Sequence, residues 1–482
     1  MSSLSATQPF SFVLFGASGN LAKLKIYPDL YVLALKKRLP AEYAIVGYAR
    51  TPMGQAQFRQ LVEESVHAQI PEVNKKVLDA MLSRVHYVQG QYDAMKDFQH
   101  LDTRLSELEK TMGPSVRLAY LSVPPATYPA ILNGLKGGGV RRDGQPFRVI
   151  LEKPVGHELK SFEEIREALV ACAKPEEIFL LDHYLGKEAV RNIYYLRYAN
   201  PILERLFKNA LIHHVEITAS ETMGLEGRAG YYEHTGVLRD MFQSHLLMMV
   251  SLLTMHIKDS DDAIREARLN ALKQFYLPPA NSMGDLVLQG QYTAGNIRGE
   301  AVPGYRQEDG IAPESRTTTF ACCKLLSRES RWQGVPFYLR SGKRLGKKET
   351  RITIQFQEPR KVGAGASPNR LEIILQGEAG MRLHLQTKLG GAEPSFRPLV
   401  MEDPLVCMGD CLPEHGLLLL EAIVGKPHWF LDFEEVRTAW RLIDPLQSYL
   451  DQSATHLYGY PAGSAGPEEA NAWIARDGIE WH

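Results

Sequence analysis

The run Leu181-Asp182-His183-Tyr184-Leu185-Gly186-Lys187-Glu188 places a carboxylate, an imidazole, a phenol, a glycine and an ammonium within one short stretch. Imidazole and ammonium together, with no helix-face spacing, suit an anionic group held by charge-assisted hydrogen bonds. The apolar tetrad Ile178-Phe179-Leu180-Leu181 leads into this run and reads as a short buried strand. Polar groups at the end of such a strand stand where an open α/β sheet builds its sites. The plainer alternative is a solvated strand-to-helix turn. The density of reactive groups, placed after a dinucleotide-type domain, favours a site.

That domain is announced at the start of the chain. Phe10 to Phe15 is an apolar, aromatic run that predicts a buried strand. It continues into Gly16-Ala17-Ser18-Gly19-Asn20-Leu21-Ala22, and a helical pattern follows through Leu35. Strand, glycine turn and helix is the context of a dinucleotide fingerprint, with Ala22 in place of its third glycine. Glycines permit the tight turn and bring backbone amides up to a pyrophosphate at the helix N-terminus. The next strand, Tyr43 to Gly47, runs into Tyr48-Ala49-Arg50-Thr51. An NAD enzyme carries an acid there for the ribose 2′-hydroxyl. Arg50 stands there instead, and a guanidinium can hold a 2′-phosphate bidentately. NADP is the expected cofactor, with NAD a weaker alternative.

Composition bounds the rest. With 482 residues, two domains are expected. Lys and Arg number 55 against 56 Asp and Glu, so no charge excess argues for nucleic acid or a membrane surface as partner. The five cysteines are odd in number and sparse, which is not a disulfide framework. Cys407 and Cys411 lack a second pair of zinc-ligand spacing, so no metal is expected. Neither a secretory signal nor a membrane span is evident. A soluble cytoplasmic enzyme is the expectation.

Strands near His86-Tyr87-Val88, Arg117 to Val123 and Arg148 to Leu151 alternate with helical segments, which implies a doubly wound, mostly parallel sheet. After Lys187 the pattern changes. Val215 to Thr222, Thr318 to Lys324, Phe337 to Arg340, Arg351 to Gln357, Leu371 to Leu375 and Arg382 to Thr387 read as strands separated by turns. The expected fold is a Rossmann-type α/β domain over residues 1–182, followed by a large α+β domain over 183–482 with a mainly antiparallel sheet. The segment Gly363 to Pro368 reads as a flexible loop, and Leu246 to Met255 as a Leu/Met-rich helix that begins at His245.

Asp182-His183-Tyr184-Leu185-Gly186-Lys187 closely resembles the signature of the glucose-6-phosphate dehydrogenase family. Other stretches resemble it in the same order. They include the glycine turn with Lys23 and Lys25, the Pro124-Pro125 turn, and Glu152-Lys153-Pro154-Val155-Gly156. Later come Gly230-Tyr231-Tyr232-Glu233, Arg239-Asp240-Met241-Phe242-Gln243-Ser244-His245-Leu246-Leu247, and Trp332 through Arg344. Asn20, Val155, Thr318 and Ala465 depart from the family pattern.

The resemblance implies oxidation of glucose 6-phosphate by NADP. It places His245 as general base, with Asp182 accepting its other N–H. His183 and Lys187, assisted by Tyr184, would bind the phosphate, and Glu221 and Asp240 would accept sugar hydroxyls. Lys153, Lys343, Lys348 (or Lys347) and Lys25 would face the substrate. Lys153 and Pro124 would also border the cofactor, beside Gly16, Ala17, Ser18, Gly19, Asn20, Leu21 and Arg50. A cis Lys153–Pro154 bond is expected, and a homodimer or homotetramer is typical of the family. The departures leave open a related sugar or sugar-phosphate dehydrogenase with another substrate. A non-catalytic sugar-phosphate sensor is the remaining alternative.

Overall fold

The computed structural model describes residues 4–359, 366–392, 395–405 and 407–482. They form two compact units, Met1–Lys187 with Met408–Phe433, and Glu188–Cys407 with Glu434–His482.

In the first unit, β1 (Phe10–Phe15), β2 (Tyr43–Ala49), β3 (Val85–Gln89), β4 (Val116–Leu121), β5 (Phe147–Glu152) and β6 (Ile178–Leu181) form one sheet. Its order is β3-β2-β1-β4-β5-β6 and every pairing is parallel. All six residues of β1 are buried, as befits a parallel strand covered on both faces. Strand order reverses between β1 and β4, where an open sheet leaves its binding crevice. Arg117 of β4 is buried, and its charge is met by Asp102 at 2.8 Å and Glu109 at 2.7 Å. The late helix Glu414–Val424 belongs to this unit and packs on helix Tyr27–Leu35 and on the turn His183–Gly186.

In the second unit the strands are β7 (Ile212–Ser220), β8 (Phe275–Tyr276), β9 (Val287–Thr293), β10 (Gly295–Ile297), β11 (Glu300–Val302), β12 (Phe320–Ser327), β13 (Phe337–Gly342), β14 (Glu349–Phe356), β15 (Arg370–Gln376), β16 (Gly380–Lys388), β17 (Phe396–Pro404) and β18 (Tyr458–Pro461). Ten of them make one sheet along β17-β16-β15-β14-β7-β13-β12-β9-β18, with β8 on β12. The pairings are antiparallel except β13 with β7 and β18 with β9, so the mainly antiparallel α+β expectation holds. Helix Leu247–Thr254 is buried at every position and packs against helix Glu188–Ala199, which also lies on β15. Buried Arg197 donates to the carbonyls of Leu252, Leu253 and Met255, satisfying acceptors that a helix end leaves open.

His245 does not begin its helix. It lies within a π-helical stretch, Leu238–Leu246, that runs directly into Leu247–Thr254. Of the loop expected at Gly363 to Pro368, the first three residues, Gly363 to Gly365, lie outside the described residues. Cys172, Cys322 and Cys323 are free and buried, whereas Cys407 and Cys411 are disulfide-bonded, which the sparse cysteine count did not suggest. Among the described residues, no helix is long and apolar enough to cross a membrane.

Candidate active site

The glycine turn of the first unit has the shape a dinucleotide needs. Gly16 adopts φ +78°, and a Cβ there would lie 2.2 Å from the Ser122 carbonyl oxygen. Only glycine satisfies both constraints. The Gly19 N–H closes the turn onto the Gly16 carbonyl at 2.8 Å, and the Tyr27 hydroxyl donates to the Ala17 carbonyl at 2.6 Å. Helix begins at Asn20 and Leu21, so the turn opens onto a helix N-terminus, where a phosphate is favoured. At the end of β2, Arg50 is exposed and its guanidinium lies 5.3 Å from the centre of the Tyr92 ring. Ser18 and Thr51 hydroxyls are 2.9 Å apart beside it. These groups fit an adenosine 2′-phosphate, and no acid stands among them. Pro124 is exposed just past the end of β4.

The ends of β5 and β6 carry a second group. The Lys153–Pro154 peptide is cis. Asp182 is fully buried, and one of its oxygens accepts from the Tyr184 N–H at 2.9 Å. That bond caps the short turn His183–Gly186. Gly186 seats the turn against the helix Glu414–Val424, because a Cβ there would lie 2.2 Å from the Glu414 carbonyl oxygen. Lys187 Nζ lies 3.9 Å from the centre of the Tyr184 ring, and the His183 ring meets Tyr184 edge-on at 5.1 Å. The turn therefore holds an imidazole and an ammonium around one phenol ring.

Behind His183 stands His415, which the sequence did not single out. The two rings stack at 6.0 Å. His415 Nε2 lies 3.4 Å from Glu152 Oε1, and the Tyr120 hydroxyl donates to the same oxygen. Desolvation pulls the His415 pKa down, but the Glu152 hydrogen bond and the charges of Glu152 and Asp29 outweigh it and raise the group above its ordinary value. Burial raises Asp29 to about 6, against the opposing charges of His415 and Lys25 and an N–H from Gly416. Lys25 is exposed one turn before Asp29, so the expected lysine and the unexpected histidine share one charged cluster. The available signal was a lone histidine at the start of the apolar run Leu417 to Leu420.

The second unit brings together Glu221, Asp240 and Lys343. Parallel register aligns Gly342 of β13 with Ser220 of β7, so the next residues on each strand emerge side by side. Lys343 Nζ is 2.7 Å from Glu221 Oε2 and 3.9 Å from Asp240 Oδ2, and lies 4.9 Å from the centre of the Tyr232 ring. The Tyr460 hydroxyl donates to the Lys343 carbonyl at 2.8 Å and fixes its backbone. His245 is 2 % exposed, in the same π-helical stretch as Asp240. Such stretches are rare and concentrate at functional sites. Lys348 is exposed in the turn before β14 and joins none of these contacts among the described residues. Lys347 pairs instead with Glu349. Of the departures, Thr318 is buried and donates to Gln289 Oε1 at 2.6 Å, Val155 is buried, and Ala465 is exposed.

The pattern of the whole chain agrees with known proteins. The model of the glucose-6-phosphate dehydrogenase NAD binding domain matches residues 13–192, and that of the C-terminal domain matches residues 194–482. The glucose-6-phosphate 1-dehydrogenase of Bacillus subtilis is 35 % identical over 479 residues, covering 97 % of each chain. The protein of that name from Chlamydia pneumoniae is 35 % identical over 493 residues, covering 98 % of this chain and 96 % of its own. A solved structure of glucose-6-phosphate dehydrogenase in complex with its substrate glucose-6-phosphate superposes with a TM-score of 0.90 at 28 % identity, covering all of both chains. Glucose-6-phosphate 1-dehydrogenase from Mycobacterium avium gives 0.84 at 25 % identity, covering 99 % of each. The chain belongs to the glucose-6-phosphate dehydrogenase family, whose members are oxidoreductases that use a nicotinamide dinucleotide.

Proposed function

We propose that this chain oxidises D-glucose 6-phosphate to 6-phospho-D-glucono-1,5-lactone with NADP, the first step of the oxidative pentose phosphate pathway. The observation that carries this reading is the grouping of Lys343 and Glu221, at paired strand ends, with Asp240 of the π-helical stretch, in a chain that also keeps the His183–Lys187 turn. Residues 1–182 then serve as the NADP-binding domain, and residues 183–482 serve substrate binding and assembly into a homodimer or homotetramer.

The Gly16 turn, the helix N-terminus after it, Arg50 and Pro124 would hold the dinucleotide, which when bound supplies the hydride acceptor. His183 and Lys187 bind the 6-phosphate, with Tyr184 beside them and Lys25 facing the same anion. Glu221 and Asp240 accept hydrogen bonds from ring hydroxyls, and a site built on such bonds rejects sugars that lack them. Lys343 offsets part of the charge of the two carboxylates and orients the sugar, and Lys153 and Lys348 add donors. His245 takes the proton of the anomeric hydroxyl as the hydride leaves C1, a task for a neutral imidazole near working pH. Asp182 is assigned to its second N–H, which fixes the tautomer and stabilises the imidazolium.

Initial rates of nicotinamide reduction test this reading. Strong turnover of glucose 6-phosphate with NADP, weak turnover with NAD and little with unphosphorylated glucose are expected. Equal rates with glucose would remove the phosphate from the assignment, and equal rates with NAD would remove the preference.

A further inference from the structure

We propose that His214, Glu216 and His482 form a binding site for one divalent transition-metal ion, zinc by the chemistry of its donors. His214 and Glu216 are two residues apart on β7, so their side chains leave the same face of the sheet. They are 3 % and 1 % exposed. Glu216 Oε1 lies 3.2 Å from His214 Nε2 and 2.6 Å from His482 Nδ1. The three donor atoms all lie within 4.8 Å of one another. Two imidazole nitrogens and one carboxylate oxygen are a set that binds zinc and leaves a fourth position for water.

The spacing suits the ion. A tetrahedral centre with bonds of about 2.0–2.1 Å separates its ligand atoms by roughly 3.3 Å. The His214 to Glu216 separation already matches. The His482 ring has to retreat by less than about 1 Å, exchanging one hydrogen bond for a metal bond.

Each ligand is also oriented from outside, as metal ligands usually are. His214 Nδ1 lies 2.8 Å from His213 Nδ1, so its second nitrogen is engaged away from the donor set. Glu216 Oε2 accepts the His482 main-chain N–H at 3.0 Å, which turns Oε1 toward the two imidazoles. His482 is pinned through its main-chain oxygen by Arg340 of β13 and Arg351 of β14. Both cations are otherwise engaged. Arg340 lies 4.3 Å from the centre of the Trp481 ring, and Arg351 reaches Glu349 at 3.4 Å and Glu372 at 3.7 Å.

The competing arrangement is a hydrogen-bonded pair of imidazoles sharing one carboxylate oxygen, with no ion. No buried side-chain polar atom of the three is left without a partner in that case either, so only a binding measurement separates the two. The proposed reaction uses none of these three residues. Glu216 lies five residues before Glu221, roughly 16 Å along an extended strand.

The full chain, stripped with a chelator and dialysed, is titrated with zinc chloride and separately with cobalt chloride. One equivalent of zinc per chain, a raised melting temperature and cobalt absorption bands of a nitrogen- and oxygen-ligated site are expected. His482→Ala and Glu216→Gln should each weaken zinc binding at least tenfold. His482 is only partly buried, so its variant keeps the test valid if Glu216→Gln fails to fold. A parent chain that binds no zinc, or one whose binding and melting temperature match those of His482→Ala, overturns the proposal in favour of the hydrogen-bonded pair.

Discussion

The imidazole of His415 lies against that of His183, with ring centroids 6.0 Å apart and planes 8° from parallel. The ring proposed to read the phosphate is thereby backed by one whose pKa is raised, chiefly through Glu152 once the opposing cost of burial is overcome. A group with a raised folded-state pKa stabilises the fold fully below its unfolded pKa, and that contribution is lost as pH rises through the folded value. His415→Gln should therefore cost stability at about pH 5.5 and progressively less toward about pH 8.5. Urea midpoints at the two pH values check this, and an equal cost at both would show that packing alone is at stake.

Asp29 gives the opposite sign. Burial raises its carboxyl from 3.8 to about 6. The folded state therefore pays to ionise it, a penalty absent below the ordinary value, growing between the two values, and complete above about pH 6. Asp29→Asn should stabilise the protein at pH 7 by at most about 3 kcal/mol and give no gain near pH 3.5. Denaturant melts across that window measure it.

His245→Asn should lower kcat by about 10²- to 10⁴-fold with little change in substrate affinity. Steady-state rates together with direct binding of the sugar phosphate separate the two effects. Near-normal turnover would remove His245 from the role of base.

Truncating the turn tests a different quantity. His183→Ala and Lys187→Ala should each raise KM for the sugar phosphate by at least about tenfold, the worth of one charge-assisted bond to phosphate, while kcat falls less. An unchanged KM would exclude that residue from phosphate binding.

Arg50→Ala should raise KM for NADP by about tenfold or more and leave KM for NAD nearly unchanged, because only NADP offers the guanidinium a 2′-phosphate. Parallel rates with the two cofactors decide it. Equal losses would mean that Arg50 supports the fold through Tyr92 rather than reading the cofactor.

The parts of this molecule that are legible in sequence are those with short-range signals. The run Phe10 to Phe15 ending in Gly16 specifies strand and turn within a few residues, because the positive φ at Gly16 and the space it must leave empty are local demands. The triple of Lys343, Glu221 and Asp240 was legible only through family resemblance, since register across β13 and β7 makes the pair and no spacing in the chain announces it. His415 was missed for the same reason, because the ring it stacks on lies far away in sequence. The π-helical course around His245 was not visible either. The apolar pattern begins at Leu246, whereas the helix begins earlier, on residues buried by tertiary packing.

Helix Glu414–Val424 closes the turn that carries His183, and Leu431 adds an N–H to the Leu180 carbonyl at 2.9 Å while Phe430 meets Phe179 edge-on at 4.9 Å. These contacts join segments that leave the ribosome far apart in time. The dinucleotide sheet can assemble early in synthesis, but its last strand stays uncovered and the His183–Gly186 turn unsupported until the segment from Glu414 to Leu431 has emerged. A nascent or prematurely ended chain would thus expose Phe179 and Leu180, an apolar flag for chaperones or proteases. Support for the turn proposed to read the phosphate thus arrives only with the segment from Glu414 to Leu431.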